Sequence, residues 1–317
     1  SEQMLKVIEL FAGIGAQRKA LERAGIEHEV IAISEIDKYA LKVYETLHGK
    51  PNNLGDITKI DKLPKADLWT YSFPCTDISI SGRLGGLEKG SGTHSSLLWE
   101  VERLIKVSNL NAELPKYLLM ENVKNLVSKR FKPYFDEWCD FLSGLGYKNY
   151  YKILNAKDYG IPQNRERVFM VSILDANAMY QFPKEIELDT KLCDYLEKEV
   201  DEKYYLSNKL IDCFTEMKNR NGLVRGLRFR PKEKDEDYAW TITCHAGSRP
   251  TDNFIIEPIP AALRGRYDSD GTIKQHLELK DDGNTNTITT VQKDNLIIVP
   301  EATKKGYAFA QEGDGIY

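Results

Sequence analysis

The chain has 317 residues, of which 41% are hydrophobic and 29% are charged, and its formal net charge is −4. This length and composition predict one large domain or two unequal domains with a sizeable core. We expect a cytoplasmic protein, because no apolar run approaches the roughly 20 residues of a membrane span and no signal region is visible. The five cysteines and five histidines are dispersed, which argues against a disulfide framework and against a metal site.

The first predicted unit is a strand, a glycine turn and a helix. An apolar run from Leu5 to Leu10 leads into FAGIGA, and an amphipathic pattern then predicts a helix from about Gln17 to Ala24. Gly13 and Gly15 allow the backbone to pass close to a ligand that faces the helix N-terminus. Gln17 and Arg18 occupy the place of the third glycine of the dinucleotide fingerprint, so the turn departs from an NAD site.

The second predicted strand, Val30 to Ile33, leads to Glu35. Glu35 follows the glycines by about 20 residues, the usual spacing of a carboxylate that accepts hydrogen bonds from ribose hydroxyls. An adenosine-containing cofactor is therefore indicated. In the segment GDITKI, Asp56 is an acceptor for an adenine amino group, with Ile36 and Ile57 as apolar walls. The alternative role for Asp56 is that of a turn or helix cap.

A single thiol follows the next predicted strand, Leu68 to Tyr71. Pro74 has a fixed φ and no amide donor, so the strand must stop before Cys75. A cysteine at this position becomes a nucleophile if nearby cations or dipoles lower its pKa. The alternative is a buried structural cysteine. The glycine-rich span from Gly82 to Ser96 that follows is predicted to be a binding loop or lid.

Further polar groups are predicted at the same edge of the sheet. A buried strand from Tyr117 to Met120 leads to Glu121 in ENV, and the carboxyl ends of the strands in an open α/β sheet form the ligand crevice. Beyond it, Arg165 and Arg167 alternate in the run into a strand at Val168 to Ile173, so both guanidinium groups can point the same way. An exposed polar face is the alternative for the two arginines.

Six motifs occur in the order FAGIG, SEIDKYA, GDI, FPC, ENV and QNRER. Together they resemble the motifs of cytosine-C5 DNA methyltransferases of the bacterial and phage type. The resemblance implies an α/β fold: a Rossmann-like S-adenosylmethionine-dependent methyltransferase domain with a mixed, mostly parallel sheet, plus a smaller β-rich target recognition domain. We predict the first over residues 1–187 and the second over residues 188–317.

The resemblance also implies residue roles. The predicted ligands of S-adenosyl-L-methionine, whose product is S-adenosyl-L-homocysteine, are Phe11, Ala12, Gly13, Ile14, Gly15, Glu35, Ile36, Asp56, Ile57 and Pro74. Those predicted to hold a cytosine are Cys75, Glu121, Arg165 and Arg167. Thr76 departs from the family, in which glutamine is common at this position.

The chemistry that the resemblance implies starts with attack by the Cys75 thiolate on cytosine C6, which makes C5 reactive. A protonated Glu121 would donate to N3, and Arg167 would bind O2. The nucleotide must be flipped out of the duplex, because neither ring atom can be reached inside the stack. The expected function is DNA (cytosine-5-)-methyltransferase activity at a specific site, in a restriction-modification, phage or orphan role.

The remaining third of the chain has a different character. Charged stretches after Pro183 are predicted to be helical to about Arg220, and a basic patch follows between Arg220 and Lys232. A degenerate repeat, TIT with NFIIEP and then TIT with NLIIVP, predicts two hairpin-like units. This part is the expected double-stranded DNA-binding region by resemblance. The residues predicted to contact DNA are Ser79, Ser81, Arg83, Arg225, Arg228, Arg230 and Arg249.

The resemblance fails near Tyr317, before which neither an RxLTPxE-like motif nor the family's last helix occurs. We therefore expect a monomer that needs a C-terminal segment or a second polypeptide for tight cofactor binding and turnover. The expected location is a bacterial cytoplasm or an infected host cell. Two alternatives remain: a relative that acts on transfer RNA, and a catalytically inert DNA-binding relative.

Overall fold

The computed structural model describes residues 4–74, 97–198, 200–207, 210–211, 214, 229–243, 249–256, 259–267, 271, 273–279, 296–300 and 307–309. The chain forms two compact units. The first unit is Ser1–Asn155 with Glu166–Lys184, and the second unit is Ala156–Arg165 with Glu185–Tyr317. The domain boundary after residue 187 stays a prediction.

The first unit is built on a mixed six-stranded sheet. Its strands are β1 (Leu5–Leu10), β2 (His28–Ser34), β3 (Leu68–Tyr71), β4 (Tyr117–Val123), β5 (Lys148–Asn155) and β7 (Glu166–Ile173). Strand β6 (Gln163–Asn164) belongs to the second unit. The order is β2-β1-β3-β4-β7-β5, in which only β7 runs antiparallel to its two neighbours. The carboxyl ends of β1 to β4 therefore meet at one edge, as predicted.

The described residues of the first unit form four helices: α1 (Ala16–Arg23), α2 (Lys38–His48), α3 (Leu98–Leu110) and α4 (Lys132–Gly144). The helix predicted from about Gln17 to Ala24 is confirmed as α1, one residue earlier at each end. The main core lies between the sheet and the apolar faces of α3 and α4. At its centre the Trp138 indole donates to the Tyr71 hydroxyl at 3.0 Å, which satisfies a polar group of the last residue of β3.

The second unit is rich in short strands. A four-stranded antiparallel sheet has the order β12-β11-β13-β14, with β11 at Ile259–Tyr267, β12 at Ile273–Leu279, β13 at Leu296–Pro300 and β14 at Tyr307–Phe309. Two small parallel pairs accompany it: β6 with β9 (Ala239–Trp240), and β8 (Lys232–Glu233) with β10 (Ile255–Ile256).

The prediction of charged helices after Pro183 is wrong for the described part of residues 184–207. There the chain forms only short 3-10 turns, at Leu192–Asp194 and Glu202–Tyr204. The backbone amide of Leu192 donates to the Glu236 carbonyl and that of Cys193 to the Lys234 carbonyl, both at 2.8 Å. These amides are therefore committed to a distant segment and are not available to a helix.

The hairpin prediction is wrong for the first copy of the repeat. Thr241–Thr243 is not a strand, and the strands on either side pair with other segments, β9 with β6 and β10 with β8. The Asn253 side chain makes the hydrogen bonds that the backbone of a neighbouring strand would make. It accepts from the Trp240 amide at 2.8 Å and donates to the Trp240 carbonyl at 3.0 Å. In the second copy, 287–289 lies outside the described residues.

Candidate active site

The turn after β1 brings backbone amides to the edge of the sheet. Phe11 and Gly13 both have φ of 56°, and Gly15 has φ of 80°. A Cβ atom on Gly15 would lie 2.6 Å from His48 Nε2, whereas one on Gly13 would meet no atom of the described residues within 4 Å. Gly15 is therefore needed for packing against α2, and Gly13 leaves space in which a ligand can approach the backbone. The positive φ of Phe11, a non-glycine residue, is the kind of strain that clusters at functional sites.

Glu35 connects this turn to the end of β2. One carboxylate oxygen accepts from the Gly13 amide at 2.7 Å, and the other accepts from the amides of Ile36 and Asp37, each at 2.8 Å. The sequence predicted a partner for ribose hydroxyls, and the structure adds this second task of fixing the glycine turn. A carboxylate has about four acceptor positions, so these three bonds leave capacity for a ligand hydroxyl.

Asn53 supports Glu35 and was missed by the sequence analysis. Its side-chain oxygen accepts from the Glu35 amide at 3.1 Å and from the Gly55 amide at 3.0 Å, and its side-chain nitrogen donates to the Glu35 carbonyl at 2.9 Å. The signal for this residue was the turn-forming sequence at Pro51–Asn53. The loop that carries Asp56 is thereby fastened to the end of β2.

Asp56 caps the 3-10 turn at Ile57–Lys59. Its carboxylate accepts from the Thr58 amide at 3.0 Å and from the Thr58 hydroxyl at 2.8 Å, and these bonds hold the pKa of Asp56 below its usual value. The cap role that the sequence left open is thus present. Ile57 packs in the main core with 4% of its surface exposed, while Ile36 is 73% exposed. Of the two predicted apolar walls, Ile36 is accessible to a ligand.

Glu9 forms a buried polar contact behind the glycine turn. Its carboxylate accepts from the Arg18 amide at 3.1 Å and from the Tyr44 hydroxyl at 2.6 Å, and the residue has no exposed surface. Burial raises the pKa of Glu9 and outweighs the lowering effect of the two hydrogen bonds. In the sequence, Glu9 is only a polar interruption of the apolar run from Leu5 to Leu10. Through these two hydrogen bonds, its carboxylate links the first turn of α1 to α2.

The segment after β3 leads toward the predicted nucleophile and is held by two side-chain amides. Gln17 donates to the Ser72 hydroxyl at 2.8 Å, and buried Asn122 donates to the Phe73 carbonyl at 3.1 Å. Pro74 is half-buried at the end of this segment. The predicted nucleophile Cys75 and the predicted DNA contacts Ser79, Ser81 and Arg83 lie outside the described residues.

Glu121 and Arg167 form an ion pair across adjacent strands. In the antiparallel register of β4 with β7, Glu121 lies opposite Phe169, which places Arg167 at the diagonal position on the same face. Arg167 Nε lies 3.2 Å from Glu121 Oε1, with 19% and 25% of the two side chains exposed. Arg167 also donates from Nη1 to the Glu166 carbonyl at 2.7 Å. A carboxyl group and a guanidinium group therefore stand together at the end of the sheet, on a partly exposed face.

The remaining arginines that were predicted to hold cytosine or to contact DNA belong to the second unit. The Arg165 carbonyl accepts from the Ala156 amide at 3.0 Å. Arg230 is exposed, and its carbonyl accepts from the Trp240 indole at 3.1 Å. Arg249 is half-buried, and its amide donates to Asp252 at 2.9 Å. Arg225 and Arg228 lie outside the described residues.

The described residues at the end of β1 and β2 include groups that could hold an adenosine cofactor. Gly13 leaves its backbone open, Glu35 supplies a carboxylate, and the exposed side chains of Ile14 and Ile36 provide apolar surface. No cluster of three or more His, Cys, Asp or Glu side chains that could hold a metal ion occurs in the part of the chain that the structure describes. Within that part, no helix has the length and apolar character to cross a bilayer.

Comparison with solved structures supports the fold. The S. pombe Dnmt2 methyltransferase superposes with a TM-score of 0.60 at 22% identity, over 80% of this chain and 76% of that one. The Dnmt2 mutant from Spodoptera frugiperda gives a TM-score of 0.60 at 22% identity, over 80% of this chain and 74% of that one. This likeness shows a Rossmann-like α/β fold.

Sequence comparison shows the family. The type II methyltransferase M2.ScrFI of Lactococcus lactis subsp. cremoris is 41% identical in an alignment of 263 positions that covers 66% of this chain and 72% of that protein. The orphan methyltransferase M.SssI of Spiroplasma monobiae is 35% identical in an alignment of 274 positions that covers 68% of this chain and 70% of that one. The family model for the C-5 cytosine-specific DNA methylase matches residues 5–301. The chain therefore belongs to the C-5 cytosine-specific DNA methylase family of restriction-modification and orphan enzymes.

Proposed function

We propose that this protein transfers a methyl group from S-adenosylmethionine to C5 of a flipped cytosine in a specific duplex DNA site, through a covalent bond between Cys75 and C6. The observation that carries the proposal is the Glu121–Arg167 pair, with Arg167 Nε 3.2 Å from Glu121 Oε1. It lies on the same sheet that carries the Gly13 turn and the Glu35 carboxylate. One sheet edge thus combines groups for a polar base with a cofactor-binding turn.

Glu35 is the proposed ligand of the ribose hydroxyls, because its carboxylate already stands at the glycine turn. Ile36, which is 73% exposed, would cover one face of the adenine, and Asp56 would accept from its amino group. The open backbone face of Gly13 would receive the remainder of the cofactor. Phe11, Ala12, Ile14, Gly15, Ile57 and Pro74 complete the proposed pocket. Bound S-adenosylmethionine supplies an electrophilic methyl group.

Cys75 makes the cytosine ring reactive. Its thiolate forms a bond to C6, the C5–C6 π electrons become available at C5, and a protonated Glu121 donates its proton to N3 as negative charge develops there. Arg167 binds O2 and favours the thiolate. After C5 has taken the methyl group, with S-adenosylhomocysteine as the leaving group, the N3 proton returns to Glu121. A base then removes the C5 proton, and the electron pair of the C5–H bond expels Cys75 from C6. The enzyme then recovers its thiolate.

Arg165 would join the cytosine-holding groups, because it precedes Arg167 by two residues in the chain. The target nucleotide must leave the stack to reach these side chains, at a cost of a few kcal/mol for unstacking and unpairing. The second unit, which contains the predicted recognition domain at residues 188–317, would supply that energy through DNA contacts. Arg225, Arg228, Arg230 and Arg249 would bind the duplex there, with Ser79, Ser81 and Arg83 near the flipped base.

Bisulfite sequencing of DNA from cells that express the complete protein, with any further segment or second polypeptide that it needs, tests this proposal. We expect methylated cytosines at one recurring sequence, and we expect none above background when Cys75→Ala is expressed at the same level. Cys193→Ala is the matched control, because Cys193 is an exposed free cysteine of the second unit and should leave methylation unchanged. Methylation that persists in Cys75→Ala would contradict the covalent mechanism. Methylation of RNA without methylation of DNA would contradict the substrate.

A further inference from the structure

Gln17 has a contact that the proposed function does not use. It is the second residue of α1 and follows the glycine turn of the cofactor site. Its side chain reaches the segment that follows β3, where Nε2 donates to the Ser72 hydroxyl at 2.8 Å. The bond is partly buried and joins residues that are 55 positions apart in the chain. It therefore connects the cofactor turn directly to the segment that ends at Pro74.

A second amide holds the same segment from the other side. Asn122 is 3% exposed and donates from Nδ2 to the Phe73 carbonyl at 3.1 Å, while its oxygen accepts from the Val123 amide at 2.8 Å. Asn122 follows Glu121 on β4. Ser72 and Phe73 are thus each held by a side-chain amide, one from the cofactor side and one from the strand of the base-binding carboxylate.

We propose that Gln17 is a positioning residue that couples occupation of the cofactor turn to the placement of the segment preceding Cys75. Gln17 follows Gly15 by two residues, so a ligand that orders the turn also orders the start of α1. Through its hydrogen bond, Gln17 then restricts the position of Ser72, which lies three residues before the proposed nucleophile. This inference rests on the proposed function, because it assumes that the ligand is S-adenosylmethionine and that Cys75 attacks the base.

The hydrogen bond between Gln17 and Ser72 is weak enough that its loss should change the reaction rate without unfolding the protein. One neutral hydrogen bond contributes a modest net free energy, so its loss should change a rate by about two- to tenfold and leave the fold intact. The proposed coupling also predicts how the effects of two substitutions combine. If Gln17 acts only through Ser72, the effects of removing the two groups are not additive.

The first test is a double-mutant cycle on kcat and on the KM for S-adenosylmethionine, with a random-sequence duplex library as substrate. We expect Gln17→Leu and Ser72→Ala each to lower kcat by about two- to tenfold, with no further loss in the double variant. Ser72→Thr keeps the hydroxyl and should retain the wild-type rate. Gln181→Leu is the matched control, since Gln181 is an exposed glutamine of the first unit.

The second test measures a property that a merely structural contact would not change. Mass spectrometry of the Cys75 peptide gives its rate of alkylation by iodoacetamide, with and without saturating S-adenosylhomocysteine. We expect the cofactor product to change this rate at least twofold in the wild type, and to change it less in Gln17→Leu and Ser72→Ala.

Additive losses in the double variant, unchanged kcat in both single variants, or an unaltered cofactor effect on alkylation would each overturn the coupling. Methyl transfer that persists in Cys75→Ala would instead overturn the proposed function, and the coupling with it. The two failures are therefore distinguishable. Ser72→Ala tests the contact independently of α1, so the outcome does not depend on whether Gln17→Leu folds.

Discussion

Glu9 shows how a single residue can hold the cofactor turn without touching a ligand. Its carboxylate joins the Arg18 amide of α1 to the Tyr44 hydroxyl of α2, at 3.1 Å and 2.6 Å. Burial of a charged carboxylate is unfavourable, and Glu9 has no exposed surface. The two hydrogen bonds offset part of this free-energy cost. The raised pKa of Glu9 records that the two bonds only partly offset burial.

Glu9→Gln should reveal this imbalance as a pH dependence. The pKa of folded Glu9 lies above its ordinary value of 4.5, so the stability from its extra proton is present below that value and is lost as pH rises through the folded pKa. Glutamine has no proton to lose. We therefore expect the stability advantage of the wild type over Glu9→Gln, measured by thermal unfolding, to be smaller at pH 8 than at pH 5.

Glu29→Gln is the control for that measurement, because Glu29 is an exposed glutamate of the neighbouring strand β2. Arg18 and His48 face Glu9 and are present in both proteins, so only their interaction with the Glu9 carboxylate differs between the two. An advantage of the wild type that grows between pH 5 and pH 8 would contradict the account of Glu9.

Residue roles divide into those that the sequence could predict and those that it could not. The spacing from the glycines singled out Glu35, because backbone geometry fixes that distance in a strand–helix–strand unit. Asn53 and Gln17 escaped prediction, because their partners are distant in sequence and polar side chains in turns or on helices are usually solvated. Asn122 lies within the ENV motif, but the sequence did not predict a role for it, because its partner is a backbone carbonyl of the distant segment that follows β3.

At the scale of elements, the two glycines of the turn between β1 and α1 have different roles: Gly15 packs closely against α2, whereas Gly13 faces open space. Gly15→Ala combines a φ of 80° with close approaches to His48 and Tyr44, so we expect it to lower the free energy of unfolding by about 1–3 kcal/mol or more. Gly13→Ala meets open space and should destabilise the fold less. Its methyl group would instead obstruct the proposed cofactor. Chemical denaturation and calorimetry with S-adenosylmethionine separate the two effects.

We expect Gly15→Ala to lose more stability than Gly13→Ala. We expect Gly13→Ala to lose more cofactor affinity than its loss of stability would account for. Equal stability of the two variants with unchanged cofactor binding in Gly13→Ala would contradict the assignment of this turn.

Prediction of the elements themselves succeeded where periodicity is strong. The strands and helices of the first unit have long apolar patterns, and residues such as Pro74 and Gly15 mark their ends. The second unit has strands of two residues, such as Ala239–Trp240, whose partners come from distant segments. A local pattern cannot report such pairings, and the first copy of the repeat was therefore misinterpreted as a hairpin.

At the scale of the whole molecule, a net charge of −4 requires that DNA binding depend on local basic surface. We expect Arg228→Ala combined with Arg230→Ala to weaken binding to all duplexes. The slope of log affinity against log salt concentration should fall by about 1.8, as loss of two phosphate contacts requires. Fluorescence anisotropy at several salt concentrations measures this slope. Lys198→Ala, at an exposed lysine of the same unit, is the control, and an unchanged slope in the double variant would place the contacts elsewhere.

The central claim is that Cys75 forms a bond to the target cytosine, and a covalent trap tests it most directly. Duplex DNA that contains 5-fluorocytosine should be incubated with the protein and S-adenosylmethionine, and the products separated under denaturing conditions. Because fluorine cannot leave C5 as a proton does, we predict a stable protein–DNA adduct attached at Cys75, and none with Cys75→Ala. An adduct that persists in Cys75→Ala, or methylation of ordinary cytosine by that variant, would contradict the claim.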